Sequence, residues 1–471
     1  MRIITKNVSL KSVAGSKNIT PVLFTKSDQT EFVQGKGQKS LSFGMGKKKI
    51  TRRTFIILLR RLVVCAKQHK IQKIAFALSE LSAPKGLSQF ELGSIIAENF
   101  EMANFEFRKF KARPEEGWNE MQEVIIAETA NTDFKKGIER GCIIGEEVNK
   151  SRTLSNTPGC DMIPTLLADK AKSAAIGTGI KVSILGKKEM QKLKMGAVLG
   201  VAKGSEEEPK FIILEYRKGK KIEEPIVLVG KGVTFDTGGL NLKPEQGISD
   251  MHMDMSGGAA VIHAVIAAAK LKLKKNIVGL VPAVENMPSG SSYRPGDILK
   301  SMSGKTIEVL NTDAEGRVIL ADALTYAKKY KPRLVVDVAT LTGAALVALG
   351  QHACAFLTKD KKLEDLFSRL GEESGDYMWQ FPLWDEYEDS VKGNFGDVSN
   401  IPTSNSRYAG VINSGMFLYQ FVKDPQTPSE QMYPWAHIDM APRMTAVPGD
   451  YLAKGSAGAP IRFLVKLLEE Y

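Results

Sequence analysis

Two apolar patterns alternate along the chain: short continuous runs, typical of buried strands, and residues three or four apart, typical of amphipathic helices. Within residues 1–132, helical patterns cover 54–70 and 90–105, and a strand pattern covers 71–78. These patterns predict a small N-terminal α/β domain. A further helical pattern predicts a linker helix over residues 133–155. Pro158 and Gly159 then prevent the helix from continuing.

Strand and helix patterns alternate throughout residues 156–471, which we interpret as a second, larger domain. The predicted strands are 181–185, 211–216, 226–229, 276–284, 307–310 and 334–338, and the predicted helices are 164–175, 256–273, 316–329 and 363–370. Strands separated by helices pair in parallel through helical crossovers. The expected fold class is therefore α/β, with a smaller N-terminal unit and a larger C-terminal domain. We expect the latter to hold a mixed, mainly parallel sheet flanked by helices.

Composition narrows the class of protein. The 471 residues are 43% hydrophobic and 25% charged, as in ordinary globular proteins of two or three domains. No apolar run reaches the roughly 20 residues that span a bilayer, so we expect no membrane association. The four cysteines are far apart and form no CxxC pair. We therefore expect buried free thiols and a cytoplasmic location.

The net charge of +12 is concentrated near the N-terminus, where residues 1–80 contain 17 Lys/Arg and 3 Asp/Glu. Such an excess attracts polyanions, including nucleic acid. A solvated charged face explains the same excess. We favour this second interpretation, because no recognition motif and no interleaved aromatic residues accompany the charge.

Ionisable side chains follow several of the apolar runs. Open α/β sheets carry their chemistry at the carboxyl ends of strands, so we expect these groups to converge at the ends of strands in one sheet. Four converging carboxylates would repel one another without cations. Carboxylate oxygens suit Mg²⁺, Mn²⁺ and Zn²⁺, and two ions about 3.5–4 Å apart would share them as ligands. The candidate metal ligands are Lys231, Asp236, Asp254, Asp313 and Glu315.

Each acid also has a structural alternative when it is taken singly. Asp236 precedes two glycines and would suit a turn. Asp254 would suit the N-cap of the helix that follows it, and Asp313 and Glu315 the start of the next one. Arg317 would pair with either of the last two acids. Taken together, the five candidate ligands favour a metal site over these structural alternatives.

Two longer motifs resemble the signatures of a known family. Residues 229–244 (VGKGVTFDTGGLNLKP) and 311–317 (NTDAEGR) are similar to those of the leucyl (cytosol) aminopeptidases, and the second motif is highly specific to them. Shorter matches at 156–158, 337–343 and 435–439 extend the resemblance over most of residues 150–471. The resemblance implies a metalloprotease that hydrolyses peptides from their N-terminus and prefers leucine and other apolar residues. By position, residues 1–132 would be the family's macro-domain-like unit, with an assembly or regulatory role.

The resemblance also implies a role for each matching residue. Lys231, Asp236, Asp254 and Glu315 would hold a tightly bound ion. Asp236, Asp313 and Glu315 would hold a more exchangeable one. The expected ions are Zn²⁺ and/or Mn²⁺, with Mg²⁺ as an alternative.

Two further matches are implied to be catalytic. Lys243 would donate to the oxyanion of the tetrahedral intermediate, and Arg317 would hold a bicarbonate that acts as general base. The implied substrate-binding residues are Met251, Thr340, Leu341, Gly343, Ala441 and Met444. Ordinary core packing is the alternative for the two methionines.

By the same resemblance, the protein would act on peptides as a homohexamer, a dimer of trimers. A second hypothesis gives the basic N-terminal domain a sequence-tolerant DNA-binding or regulatory role. A third hypothesis is a two-metal hydrolase of another class, such as a phosphoesterase. Lys231 as a ligand and the absence of histidine ligands disfavour this third hypothesis.

Overall fold

A computed structural model of the chain describes residues 1–14, 18–35, 38–127, 131–404, 408–424 and 431–471. Its contacts divide the chain into one unit of Met1–Asn149 with Ala446–Lys454 and another of Lys150–Thr445 with Gly455–Tyr471. The division falls within a helix, Thr132–Ser155, where the sequence predicts a linker helix. The segment near the C-terminus that joins the N-terminal unit is not marked by any sequence pattern.

The N-terminal unit is built on a six-stranded sheet in the order β1-β6-β5-β2-β4-β3. Neighbouring strands are parallel except β3 and β4. The strands are β1 (Arg2–Lys6), β2 (Thr20–Thr25), β3 (Glu31–Gly35), β4 (Gln38–Gly44), β5 (Lys73–Phe76) and β6 (Glu123–Ala127). The helices are α1 (Leu10–Ala14), α2 (Arg52–Gln68), α3 (Gln89–Asn104) and α4 (Thr132–Ser155).

Helices α2 and α3 each begin at a capping box. The Thr51 hydroxyl accepts from the Thr54 amide, and the Ser88 hydroxyl accepts from the Glu91 amide. These bonds satisfy backbone donors that a helix start otherwise leaves unpaired. The apolar faces of both helices then pack with the strands in one core, where Phe76 meets Phe100 edge to face.

In the C-terminal unit the described strands form a nine-stranded sheet, β16-β15-β18-β14-β9-β11-β8-β7 with β10 beside β11, and a small sheet, β12-β13-β17. The strands of the first half are β7 (Lys181–Leu185), β8 (Lys210–Arg217), β9 (Ile226–Gly230), β10 (Gly232–Asp236), β11 (Asn276–Asn286) and β12 (Ile298–Lys300). Those of the second half are β13 (Thr306–Glu308), β14 (Leu334–Ala339), β15 (Cys354–Leu357), β16 (Met378–Gln380), β17 (Val398–Ser399) and β18 (Trp435–Asp439).

Helices flank the large sheet and connect many of its strands. The first are α5 (Pro164–Ala175), α6 (Lys187–Lys192), α7 (Gly196–Val201), α8 (Glu245–Ile248) and α9 (Ser256–Lys270). The others are α10 (Glu315–Ala327), α11 (Gly343–Leu349), α12 (Lys361–Ser374), α13 (Gly410–Tyr419) and α14 (Ile461–Glu470). The expected two-domain α/β fold class is confirmed. None of the helices in the described part of the chain is long and apolar enough to cross a membrane.

The centre of the large sheet is parallel and fully buried. Strands β18, β14, β9 and β11 run in the same direction. Every residue of these four strands is buried. Burial on both faces explains why strands such as β9 read as continuous apolar runs rather than as alternating patterns.

Three pairs of neighbouring strands in the large sheet are antiparallel, β8 with β11 among them. Strands β7 and β8 are antiparallel, although helices separate them in the sequence, and β15 pairs antiparallel with β18. The sheet is therefore mixed and mainly parallel, as expected, although β7 and β8 do not follow the rule that helix-separated strands pair in parallel. Helices α6 and α7 have six residues each. Each rises only about 9 Å, which is too short to return the chain along a strand as a crossover helix does.

Strand β13 differs from the predicted strand in its bounds and in the sheet to which it belongs. The predicted strand 307–310 is shortened to Thr306–Glu308 and lies in the small sheet, between β12 and β17. The loop with Asp313 and Glu315 therefore does not follow a strand of the main sheet. The pairing partners of such a short strand are set by distant segments, so its apolar pattern did not identify its sheet.

The described cysteines are unpaired, as expected for free thiols. They are not all buried: Cys354 is buried, Cys65 and Cys142 are partly exposed, and Cys160 is exposed.

A buried carboxylate organises the junction of α7 and α10. Asp322 Oδ2 accepts from the amides of Ala197 and Val198 at 3.0 Å each, and Oδ1 accepts from the Met302 amide at 2.7 Å. The first two donors lie in the opening turn of α7, where amides lack partners within the helix. Asp322 thereby joins three segments that are distant in sequence.

Replacing Asp322 with alanine is expected to lower the free energy of unfolding by about 3–5 kcal/mol, because three buried amides lose their acceptor. Urea denaturation followed by tryptophan fluorescence measures this loss. Asp322→Asn keeps one acceptor oxygen and should cost clearly less. Equal midpoints for the alanine variant and the parent protein would show that these bonds do not stabilise the unit.

Candidate metal centre

Lys231 lies between β9 and β10, with its ammonium group among buried carboxylates. Its Nζ is 2.8 Å from Asp254 Oδ2 and 2.7 Å from Glu315 Oε1, and it donates to the Thr340 carbonyl at 2.9 Å. Gly316 provides the space, since a Cβ there would lie 2.7 Å from Nζ. A side chain at position 316 would therefore displace the ammonium group from the cluster.

Lys243 contacts the other two carboxylates of the cluster, those of Asp236 and Asp313. Its Nζ lies 2.8 Å from Asp236 Oδ2 and also contacts Asp313 Oδ1. Asp236 Oδ1 accepts from Asn286 Nδ2 at 2.8 Å, which fixes the carboxylate. Ligand atoms of Asp236, Asp313 and Glu315 lie within 4.8 Å of one another. The fold thus brings together all five predicted metal ligands and one of the two predicted catalytic residues.

Helix capping does not account for the acids. The N-cap residues of α9 and α10 are Met255 and Ala314, and neither helix has a side-chain cap. Asp254 instead accepts from the Thr340 hydroxyl at 2.6 Å. Asp236 does take part in a turn, as its structural alternative predicts. Its Oδ1 also accepts from the Gly238 amide at 2.9 Å.

The charges in the cluster do not balance. Four carboxylates face two ammonium groups, all in a buried or partly buried environment. Burial raises the pKa of Glu315 to about 8, with a further contribution from the charge of Asp236. Burial likewise raises the pKa of Asp254 to about 6. Without additional cations, burial therefore makes the charged forms of Glu315 and Asp254 less favourable than they are in water.

The residues present fit divalent cations. Glu315 Oε2 is buried and has no hydrogen-bond partner in the described part of the chain, and Oε1 meets only the Lys231 ammonium. Unpaired buried carboxylate oxygens are costly unless they coordinate an ion. Oxygen-rich donor sets suit Zn²⁺, Mn²⁺ and Mg²⁺. Lys231 would join such a set only after it loses its proton.

Arg317 lies beside the cluster on α10 and is 8% exposed. Its Nη1 donates to the Asn400 carbonyl at 2.7 Å, while its buried Nε has no partner among the described residues. Burial lowers its pKa to about 10, so it stays charged at neutral pH. Within the described chain it forms no ion pair with Asp313 or Glu315, contrary to the salt-bridge alternative. A buried guanidinium with an unused donor suits a small anion.

Two loops that the sequence analysis assigned to substrate binding share one anchor. Asp439 Oδ1 accepts from the amides of Leu341 and Ala441 at 3.1 Å each. Its Oδ2 accepts from the Thr342 hydroxyl at 2.6 Å. Asp439 is fully buried, at 0% exposure, at the end of β18. Asp439 therefore bonds to both the loop after β14 and the loop after β18, beside the backbone bond from the Met440 amide to the Ala339 carbonyl.

The other predicted pocket residues lie on neighbouring turns. Met251 opens the turn Met251–Met253 that leads to Asp254, and Gly343 begins α11. Met444 follows the turn Ala441–Arg443 and is partly exposed, as is Met251. Among the described residues, no hydrogen bond or ion pair ties Gly343 or Met444 to the carboxylates. Their place in a substrate pocket stays a prediction.

Three site residues were missed by the sequence analysis: Asn286, Asn400 and Asp439. Asn286 and Asp439 are the last residues of β11 and β18, and Asn400 directly follows β17. Asn400 accepts from the Leu310 amide at 2.8 Å and donates to the Asn311 carbonyl at 2.6 Å. Asn286 and Asp439 end strands of the main sheet, where the rule that identified Asp236 applies, whereas Asn400 follows a two-residue strand of the small sheet that no sequence pattern predicted.

Comparison with known proteins identifies the family. The family model described as the cytosol aminopeptidase family, catalytic domain, matches residues 149–465. The chain belongs to the cytosol aminopeptidase family. The enzyme is 42% identical over 408 residues to a "Probable cytosol aminopeptidase" of Syntrophotalea carbinolica, covering 86% of this chain and 80% of that protein. A relative of the same name from Burkholderia mallei is 42% identical over 402 residues, or 85% and 77% of the two chains.

Solved structures agree with this assignment. The bottromycin maturation enzyme BotP superposes with a TM-score of 0.84 at 27% identity, covering 96% of this chain and 99% of BotP. Its complex with Mn gives a TM-score of 0.85 at 28% identity. The resemblance seen in the sequence motifs is confirmed. The enzyme is a peptide hydrolase of a metal-dependent family.

Removing the Asp439 carboxylate is expected to disorder the substrate loops without emptying the metal centre. Asp439→Ala should raise KM for leucine p-nitroanilide about tenfold or more, as two amides and a hydroxyl lose their acceptor. Asp439→Asn keeps an acceptor and should recover most of the affinity. Metal content and melting temperature are measured for the same variants. An unchanged KM in the alanine variant would show that Asp439 does not anchor the loops.

Proposed function

We propose that the enzyme releases N-terminal amino acids from peptides, preferring leucine and other apolar residues, by two-metal-ion activation of a water molecule. The observation that supports this proposal most directly is the buried cluster of four carboxylates and two lysines, with Glu315 Oε2 unpartnered. Family membership supports the aminopeptidase reaction, and the donor set supports the metal chemistry.

Lys231, Asp236, Asp254 and Glu315 would hold the tightly bound ion, and Asp236, Asp313 and Glu315 the exchangeable one. When bound, such ions supply a nucleophilic water near neutral pH and a Lewis acid for the scissile carbonyl. Zn²⁺ and Mn²⁺ are the proposed occupants, with Mg²⁺ as an alternative. The Mn complex of BotP supports Mn²⁺.

Lys243 is proposed to stabilise the oxyanion that develops on the scissile carbonyl. Burial alone would lower its pKa, but the charges of Asp236, Glu315 and Asp313 outweigh burial and raise it. In the cluster without bound ions, the side chain is therefore protonated. A fixed ammonium in a site with little water stabilises developing negative charge more strongly than solvent does.

Arg317 is proposed to hold a bicarbonate that acts as general base. Its buried Nε is free of hydrogen bonds among the described residues, and Asn400 orients the guanidinium from one side. The four carboxylates of the cluster are already engaged with lysines or assigned to metal, so none of them is left for this task. An anion bound here would take the proton from the attacking water.

The substrate pocket is proposed to be formed by residues from three loops. Methionines adapt their shape to different apolar side chains, and both Met251 and Met444 remain partly exposed, which supports a pocket over core packing. An apolar pocket discriminates by only about 1–3 kcal/mol per methylene. Broad specificity among apolar N-terminal residues follows. Thr340, Leu341, Gly343 and Ala441 would complete the pocket.

We further propose a cytoplasmic homohexamer, a dimer of trimers, acting on peptides. The names of the relatives support the cytoplasmic location. Neither the relatives nor the metal cluster supports the DNA-binding alternative, which stays an untested prediction. Membership of a peptidase family argues against the phosphoesterase hypothesis.

Removal of metal is expected to abolish hydrolysis of leucine p-nitroanilide. Glu315→Gln, which is nearly isosteric but uncharged, should bind fewer ions per chain and lose at least about 1000-fold in kcat/KM. Mass spectrometry measures the number of ions bound per chain. Assays with leucine, alanine and glutamate substrates measure kcat/KM. Glu206→Gln, at an exposed position, is the matched control. Full turnover after exhaustive chelation would disprove the metal mechanism.

Arg317→Ala is expected to lower kcat about 100- to 10,000-fold, the range that a general base contributes, and to abolish the response to bicarbonate. Arg317→Lys keeps the charge but loses the planar fork, so it should recover only part of the rate. The assay varies bicarbonate in buffers freed of carbon dioxide. A variant that keeps the parent rate and bicarbonate response would exclude the anchoring role of Arg317.

A further inference from the structure

The N-terminal unit contains a basic cavity of about 480 Å³. Five cationic side chains and a single acid line it: Lys47, Lys48, Lys49, Arg53, Arg61 and Asp28. An apolar wall that includes Ile50 and Ile57 completes the cavity. Cavities of this size bind small organic ligands, and the excess of cations indicates a ligand with several negative charges.

The topology of the sheet places this cavity where α/β folds commonly bind ligands. Strands β2 and β4 are parallel neighbours, and the cavity lies beyond their carboxyl ends. The Met45 amide donates to the Thr25 carbonyl at 2.8 Å, and the Gly46 amide donates to Ser27 at 2.9 Å. Gly46 adopts a left-handed conformation with φ of +82°, which favours glycine. The loop that carries the three lysines is therefore held against the strand ends.

Arg61 lines the cavity and has one donor that no described residue uses. Its guanidinium donates through Nη2 to the Gly44 carbonyl and lies 4.8 Å from the centre of the Phe43 ring. These contacts fix the side chain, while its buried Nε has no hydrogen-bond partner among the described residues. A buried donor without a partner is costly unless a ligand accepts from it. A phosphate oxygen is a suitable acceptor for such a donor.

The lysines add charge that the protein does not neutralise. Within the described part of the chain, no ion pair involves Lys47, Lys48 or Lys49. Helix α2 follows them with Arg52 and Arg53 in its first turn and no acid there. Basic residues at a helix N-terminus oppose the helix dipole. Arg52 is compensated by Glu91 at 2.7 Å, and Arg53 lines the cavity.

We propose that this cavity binds a nucleotide-sized organic polyphosphate. The phosphates face the lysines and Arg61, and the apolar part of the ligand packs against Ile50 and Ile57. Binding here is independent of peptide hydrolysis, because no residue of the cavity belongs to the carboxylate cluster. Guanidinium and ammonium groups together recognise a chain of phosphates more strongly than a single phosphate.

Isothermal titration calorimetry of the full chain tests this proposal with ATP, tripolyphosphate, AMP and a short DNA duplex as probes. We expect one ATP per chain, weaker binding of tripolyphosphate and AMP, and loss of affinity as salt is raised, because surface charges are screened. Lys48→Glu/Lys49→Glu should weaken ATP binding about tenfold or more, or about 1.4 kcal/mol. Arg61→Lys should weaken it as well, since the Nε donor is lost.

Matched controls separate the cavity from general charge and from the metal centre. Lys85→Glu/Lys135→Glu makes the same charge change at exposed positions of the same unit and should leave ATP binding unchanged. Glu315→Gln should also leave it unchanged, and the cavity variants should keep full peptidase activity. Equal weakening by both double variants, tighter binding of the duplex than of ATP, or no ATP binding at about 50 mM salt would each overturn the proposal.

Discussion

A buried excess of negative charge is the constraint on which the candidate metal centre depends. Like charges repel strongly where water is excluded, so four carboxylates remain close only if the surrounding fold holds them there. Lys231 and Lys243 neutralise part of this charge. Asn286 and Thr340 fix the orientation of individual carboxylates through hydrogen bonds. The cluster therefore offers the proposed cations a set of carboxylates whose orientations are fixed by hydrogen bonds.

The parallel centre of the large sheet makes this arrangement possible. Its strands are buried on both faces, which leaves the loops at their ends as the places where polar groups gather. Polar side chains at these ends serve as ligands or as anchors. Asp236 is a proposed metal ligand, whereas Asn286 and Asp439 act as anchors through their hydrogen bonds. Anchors matter because a site on loops is only as well defined as the contacts that hold the loops.

The two units, whose sheets differ in topology, contain clusters of opposite charge. In the C-terminal unit, four carboxylates and two lysines form a cluster that suits cations. In the N-terminal unit, lysines and arginines beyond β2 and β4 form a basic cavity that suits an anion. The basic excess of residues 1–80 thus contributes to the cavity, and the acids of the rest of the chain contribute to the carboxylate cluster.

Local spacing in the sequence determined much of this protein. Periodicity identified β7 and α5 with their boundaries, and the 311–317 motif identified the family, because both signals depend on neighbouring residues. Tertiary structure alone decided that β13 joins a separate sheet, that Asp439 ties two distant loops, and that Arg61 keeps a buried donor unused. These features are contacts between segments far apart in the chain. Local periodicity records which face of a segment is buried, but not which partner buries it.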